Sequence, residues 1–234
     1  MPTEIHLMSG YAPKTGFIRL MPRFEQQTGF KPIVHYNVLG VIREKIAAGE
    51  RPDILIMPAG LLDGYAKQNI VRDDARSALG TVRTAIAMKT GSTAPDLSSV
   101  ESFRAALLAA RAIAHSPATA TPSGAHCAKM MEQLGIADVM AKKTIYKPAL
   151  EGGLQALQSG EADFGIYPKS EVVNVDGVSV VGLLPPGVAF DNVYGAAAVV
   201  DSAVAQPAAA LVHFLGAPEN RQVWADVGFD PPAV

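Results

Sequence analysis

An α/β fold of two lobes, each a mostly parallel sheet flanked by helices, with two crossover strands between them, is what the sequence predicts. Three observations carry that prediction. Short apolar runs alternate with stretches of helical periodicity along most of the chain, the pattern of parallel strands covered by helices. Two longer extended runs, Thr81 to Lys89 and Ala189 to Val200, interrupt that alternation and read as crossings between lobes. With 234 residues, 49% hydrophobic and only 18% charged, the chain has the apolar content for a sizeable core.

Each element has its own justification. Glu4 to Ser9 reads as a strand, and the helix after Gly10 to Gly16 places Phe17, Leu20, Met21 and Phe24 on one face before Thr28 and Gly29 stop it. Pro32 to Tyr36 is a second strand, followed from Asn37 by a helix with the stripe Leu39, Ile42 and Ile46. Asp53 to Met57 is nearly all apolar, as expected inside a parallel sheet, and Leu61 to Gln68 follows as a helix. This first lobe is expected to span 1–82 and 195–234, with 83–194 as the second.

The second lobe repeats the scheme. Val100 to Arg111 is expected as a helix and Ala112 to His115 as a strand. Pro117 to Pro122 is expected outside helix, with Ser123 as N-cap of a helix carrying Ala125, Ala128, Met131 and Leu134 and closed by Gly135. Lys143 to Tyr146 is a strand, Leu150, Leu154 and Leu157 mark a helix, and Asp163 to Tyr167 and Val178 to Leu184 are strands. After the return crossing come two helices, Val204 to Leu215 and Glu219 to Val227; the second carries Trp224 and is expected at the back of the first lobe.

Composition narrows the function classes. The 22 acidic and 20 basic side chains leave a net charge of −2 with no basic run, so nucleic acid is not an expected partner. No apolar run approaches the roughly 18 residues of a membrane span. The stretch from Met1 shows neither a basic n-region nor a long apolar h-region; the compartment is periplasmic if a signal segment has been removed, otherwise cytoplasmic. Cys127 is the single cysteine, and His126 and Cys127 point to different helix faces, so neither a disulfide nor a zinc site is expected. No metal and no cofactor is called for. Ser123 with His126 lacks the flanking glycines of a nucleophile elbow, and Gly152 with Gly153 lacks the Lys-Ser/Thr ending of a phosphate loop.

What remains is an anion site. In open α/β sheets ligands sit beyond the carboxyl ends of strands, where loops enter helices. Four loops qualify: Ser9 to Thr15, Tyr36 to Gly40, Pro117 to Gly124, and Tyr146 to Gly152. Each ends at a helix N-terminus, whose open N–H groups and dipole favour negative charge, and they are expected to face a cleft between the lobes.

The chain resembles the periplasmic molybdate-type solute-binding proteins of ABC transporters, whose type II fold also serves aconitate isomerase-like proteins. The resemblance runs through Pro22-Arg-Phe-Glu-Gln-Gln-Thr-Gly29, Ile46-Ala-Ala-Gly49 with Pro52-Asp-Ile-Leu-Ile56, Pro122-Ser-Gly-Ala125, and Gln155-Ala-Leu-Gln-Ser-Gly-Glu-Ala-Asp163. It continues through Tyr194-Gly-Ala-Ala-Ala-Val199, Phe214-Leu-Gly-Ala-Pro-Glu-Asn-Arg221 and Gly228-Phe-Asp-Pro231, and so covers nearly the whole chain. It implies a site at the positions of Ala12, Val38, Ser123, Gly124, Leu150 and Tyr194, with a transporter permease as partner; Gly10, Tyr11, Lys14 and Asn37, which stand beside these positions in this sequence, complete the candidate set.

The family's two strand-end serine hydroxyls fall here on Ala12 and on Val38 or Leu39, and Tyr194 falls on its hydroxyl donor. Losing two donors at about 1–3 kcal/mol each weakens binding of a compact oxyanion by roughly a hundredfold or more. Tyr11, Lys14 and Asn37 stand beside the lost groups and suit a larger carboxylate ligand. The first expectation is therefore a protein that binds an organic di- or tricarboxylate and passes it to a transporter. The second is an isomerase moving a double bond in a tricarboxylate, with Lys14, His126 or Tyr194 as the base. His126 is expected on a solvated helix face, and regulatory anion sensing is a third option.

Overall fold

The computed structural model describes residues 2–146 and 150–232. In chain order the first elements are β1 (Glu4–Ser9), α1 (Lys14–Thr28), β2 (Lys31–Tyr36), α2 (Leu39–Ala47), β3 (Ile54–Pro58), α3 (Ala59–Lys67) and β4 (Val71–Lys89). Then come α4 (Val100–Ala109), β5 (Ile113–Ala114), α5 (Pro122–Gln133), α6 (Ala137–Ala141), β6 (Thr144–Ile145), α7 (Leu150–Ser159), β7 (Phe164–Pro168), α8 (Lys169–Val172) and β8 (Val178–Leu183). The chain closes with β9 (Asp191–Val199), α9 (Ala205–Gly216), α10 (Arg221–Asp226) and β10 (Phe229–Asp230). It divides into two compact units, Met1–Val82 with Asn192–Val234, and Arg83–Asp191.

In the first unit β1 lies between β2 and β3, parallel to both, with Ser9 opposite Tyr36 on one side and Ile56 on the other. β9 runs antiparallel to β3, which sets Tyr194 opposite Pro58. Ile54, Leu55, Ile56 and Met57 of β3 are fully buried, because helices cover both faces of a parallel sheet. One layer of core holds Ile5, Leu7 and the α1 stripe Phe17, Leu20, Met21 and Phe24; the other holds Met8, Leu39, Ile42, Ile46 and Leu55. The two helical stripes read from spacing are thus the ones that are buried. Gly29, at φ 72°, ends α1 in the left-handed conformation that glycine adopts without strain.

In the second unit β5 lies between β6 and β7, parallel to both, with Ala114 opposite Ile145 and Gly165. β7 and β8 both run antiparallel to β4. Phe103, Leu107, Ile113, Met130, Met131 and Ile166 form one core layer, and Leu154, Leu157, Tyr167 and Val172 belong to the other.

Several elements differ from the sequence expectation. β4 begins at Val71, ten residues before the expected start, through a charged stretch without alternation. Those charges are paired, Arg72 with Asp74 and Arg76 with Asp63 and Asp73, so the strand tolerates them. α5 starts at Pro122, not after Ser123: Thr121 is the N-cap and its hydroxyl accepts from Gly124 N at 3.0 Å. Proline suits that first helical position because its missing N–H would have no partner there. The buried face of α5 is Ser123, Gly124, Cys127, Met130 and Met131, while Ala125 is exposed. The last predicted helix is broken by a short 3-10 turn at Pro218–Asn220. Asn220 is wholly buried there, its amide donating to the Phe214 carbonyl at 2.5 Å and its oxygen accepting from Arg23.

Candidate functional site

The parallel register of β1 and β2 puts Ser9 beside Tyr36, so the loops that follow, 10–13 and 37–38, emerge together. Neither following helix has a side-chain cap or an acidic residue in its first turn, which leaves backbone N–H groups for an outside acceptor. Asn37 N donates to Ser9 O at 3.1 Å, and the Asn37 side-chain oxygen accepts from Val38 N at 2.9 Å, leaving its amide N–H groups to offer. Ser9 does not stand in for the absent strand-end hydroxyls, because it is fully buried and donates to Gly10 O at 2.8 Å.

Tyr11 is exposed and its ring stacks on that of Tyr36, centroids 6.1 Å apart and planes 20° apart. The Lys14 ammonium lies over the Tyr36 ring, 5.7 Å from its centroid. Burial pushes the Tyr36 hydroxyl up to about 12, so it stays neutral across the physiological range. Gly10 and Ala12 are buried and Val38 is half-buried, so these three can present little beyond backbone. Tyr194 is also buried, and a Cβ on Gly10 would lie 3.8 Å from its hydroxyl, which places Tyr194 at the β1 loop.

In the second unit the loop after β5 folds back on the start of α5. A Cβ on Gly124 would run into the carbonyl oxygens of Ser116 and Pro117, so glycine is required at that close approach. Ser123, buried at the second helical position, has its hydroxyl 3.1 Å from that of Thr121. His115 is buried, its Nδ1 2.8 Å from Ser116 O, and burial lowers its pKa against the opposing pull of that carbonyl. Leu150 opens α7 half-buried. Residues 147–149 lie outside the described residues, and with them part of the Tyr146 to Gly152 loop and any pairing of Glu151 with Lys147.

His126 is not on a solvated face. Its Nε2 lies 2.9 Å from the Val188 carbonyl and its ring stacks on Phe190 at 4.7 Å, an engagement that local helix periodicity could not reveal. Cys127 is fully buried with its thiol pushed up to about 12, so it is a core side chain. Among the described residues no three His, Cys, Asp or Glu are grouped to hold a metal.

Three polar groups near these loops were not named as site residues from the sequence. Tyr36 closes β2, Thr121 caps α5, and Tyr167 is the last residue but one of β7, on the side where β5 ends. A Cβ on Gly153, in the first turn of α7, would strike the Tyr167 hydroxyl, so the two elements touch there. Glu171, half-buried one turn beyond Tyr167, has its carboxyl raised to about 7 by burial and then by the charge of Glu151. The strand-end rule would have found Tyr36 and Tyr167; nothing local marks Thr121 over Ser123.

Comparison with known proteins agrees with this architecture. The chain is 29% identical over 224 residues to an aconitate isomerase from a Pseudomonas species, a match covering 92% of this chain and 84% of that protein. The periplasmic molybdate-binding protein of Azotobacter vinelandii superposes with a TM-score of 0.79 at 15% identity, covering 98% of this chain and 100% of that one. PEB3 with L-phospholactate bound gives 0.69 at 14% identity, covering 97% and 99%. Among the described residues no helix is long and apolar enough to cross a membrane. Residues 5–230 match the family described as bacterial extracellular solute-binding protein, and the chain belongs to that family.

Proposed function

We propose that the protein binds a small organic anion, a di- or tricarboxylate, as the solute-binding component of an ABC transporter, with the transporter permease as partner. The contacts we propose in the first unit are Gly10, Tyr11, Ala12, Lys14, Asn37, Val38 and Tyr194; those we propose in the second unit are Ser123, Gly124 and Leu150. The observation that carries this reading is Lys14, a cation among uncapped helix starts, beside the positions where the molybdate-type family is expected to have hydroxyls. A formal charge pairs with an ionised carboxylate more strongly than a hydroxyl does. A fold neighbour holding L-phospholactate, itself an organic anion, supports the ligand class.

Isothermal titration with tricarballylate, succinate, molybdate, tungstate and sulfate tests the reading. Carboxylates binding more tightly than the inorganic anions is the expected order, and the reverse order overturns it. The likeness to an aconitate isomerase favours a second reading, in which the bound tricarboxylate is isomerised by proton transfer. Lys14, Tyr194 and His126 are its candidate bases, and the ring nitrogen Nε2 of His126 is already engaged with the Val188 carbonyl. Following cis- and trans-aconitate by NMR separates the two: turnover at catalytic protein concentration establishes the enzyme, and stoichiometric binding without conversion establishes the receptor.

A further inference from the structure

Tyr36 is used by neither reading, yet it touches two of the residues that both readings need. It is the last residue of β2, half-buried, and its ring packs against the first-unit core that holds Phe17 and Leu20. Its backbone is held by the parallel ladder to Ser9. On this fixed ring rest the Tyr11 ring and the Lys14 ammonium, at 6.1 and 5.7 Å between centres.

An exposed lysine normally samples many rotamers, and that freedom is lost when it grips a ligand. A neutral aromatic face attracts an ammonium within about 6 Å and restricts it beforehand without cancelling its charge, as a carboxylate partner would. Among the described residues no carboxylate pairs with Lys14. The ammonium is therefore held near the starts of α1 and α2 with its charge uncompensated. A ligand with one carboxylate can use either the ammonium or the backbone N–H groups; a ligand with two can use both at once.

We infer that Tyr36 is a positioning residue that sets the preference for polycarboxylates over monocarboxylates, by holding the Lys14 ammonium and the Tyr11 ring in place at the strand ends. The inference rests on the organic-anion reading above. It makes the ring, and not the hydroxyl, the working part of Tyr36.

The experiment compares wild type, Tyr36→Phe, Tyr36→Leu, Lys14→Met and the Tyr36→Leu/Lys14→Met double variant by titration with succinate and with butyrate, which has the same four carbons and one carboxylate. Expected is an unchanged succinate-to-butyrate preference in Tyr36→Phe and a loss of about three- to fivefold in Tyr36→Leu. In the Lys14→Met background Tyr36→Leu should have no further effect, the mark of a coupled pair. A preference unchanged in Tyr36→Leu, or equally reduced with and without Lys14, overturns the inference while leaving the binding reading intact. Absence of succinate binding by wild type defeats the binding reading itself. If Tyr36→Leu does not fold, reductively methylated wild type and Tyr36→Phe decide. A Lys14 methyl resonance, assigned through Lys14→Met, shifted by the Tyr36 ring current in both supports the inference, and one at the position of ordinary surface lysines overturns it.

Discussion

Replacing Glu171 by Gln should stabilise the protein above neutral pH and have much less effect near pH 5. The carboxyl is raised from 4.5 to about 7 by burial, with the Glu151 charge adding to the effect. Between those values the folded protein holds a proton that the unfolded chain has released, so stability falls as pH rises through this window and is level above it. At roughly 1.4 kcal/mol for each pH unit, the gap is worth about 3 kcal/mol, a ceiling because Glu171 keeps some contact with solvent. Gln matches the shape of the protonated acid and cannot ionise. Urea unfolding of wild type and variant at about pH 5 and about pH 8 measures the difference directly. The variant's gain on wild type should be roughly 1–3 kcal/mol at the higher pH and clearly smaller at the lower. An equal difference at both values would show that Glu171 titrates normally. The same ionisation adds negative charge one turn beyond Tyr167, itself raised by burial first and by Glu171 second. Anion affinity should therefore weaken above neutrality in wild type more than in Glu171→Gln.

Other expectations follow from single contacts. Gly124→Ala sets a methyl against the Ser116 and Pro117 carbonyls and should cost about 1–3 kcal/mol on thermal or urea unfolding; a neutral result would show that the 115–121 loop moves freely away from α5. Thr121→Ala removes the α5 cap and should cost about 1 kcal/mol, whereas Ser123→Ala should cost less, the reverse of what a Ser123 cap requires. Burial lowers the pKa of His115 against the raising effect of the Ser116 carbonyl, so stability should fall as pH drops below its ordinary 6.5, and His115→Gln should flatten that limb. Trp224, on the helix expected at the back of the first lobe, packs against α1: a Cβ on Gly16, two residues after Lys14, would strike its ring. Its fluorescence should therefore respond to titration with succinate, and a flat signal at saturation, with binding confirmed by calorimetry, would refute that coupling.

Much of the fold was legible because burial is periodic. The stripe Phe17, Leu20, Met21 and Phe24 repeats at helical spacing and is buried, and the apolar run at Ile54 to Met57 is a strand covered on both faces. The start of β4 was not legible, since Arg72, Asp73, Asp74 and Arg76 are balanced by ion pairs rather than by alternation. At the candidate site the pattern of loops entering helices could be read locally, but the partners of individual side chains could not.

By itself the sequence determined the α/β order of strands and helices and the family, since both rest on local spacing and on runs of residues along the chain. Tertiary structure alone decided that Thr121 and not Ser123 caps α5, that His126 meets Val188, that Tyr36 carries Lys14 and Tyr11, and that Tyr167 meets Gly153. Three of those four contacts depend on how loops and separate elements come together: Ser9 beside Tyr36 through the strand register, the segment at Val188 against α5, and β7 against the first turn of α7. The fourth is local, but Thr121 and Ser123 are both good caps and only the folded path of the 115–121 loop chooses between them.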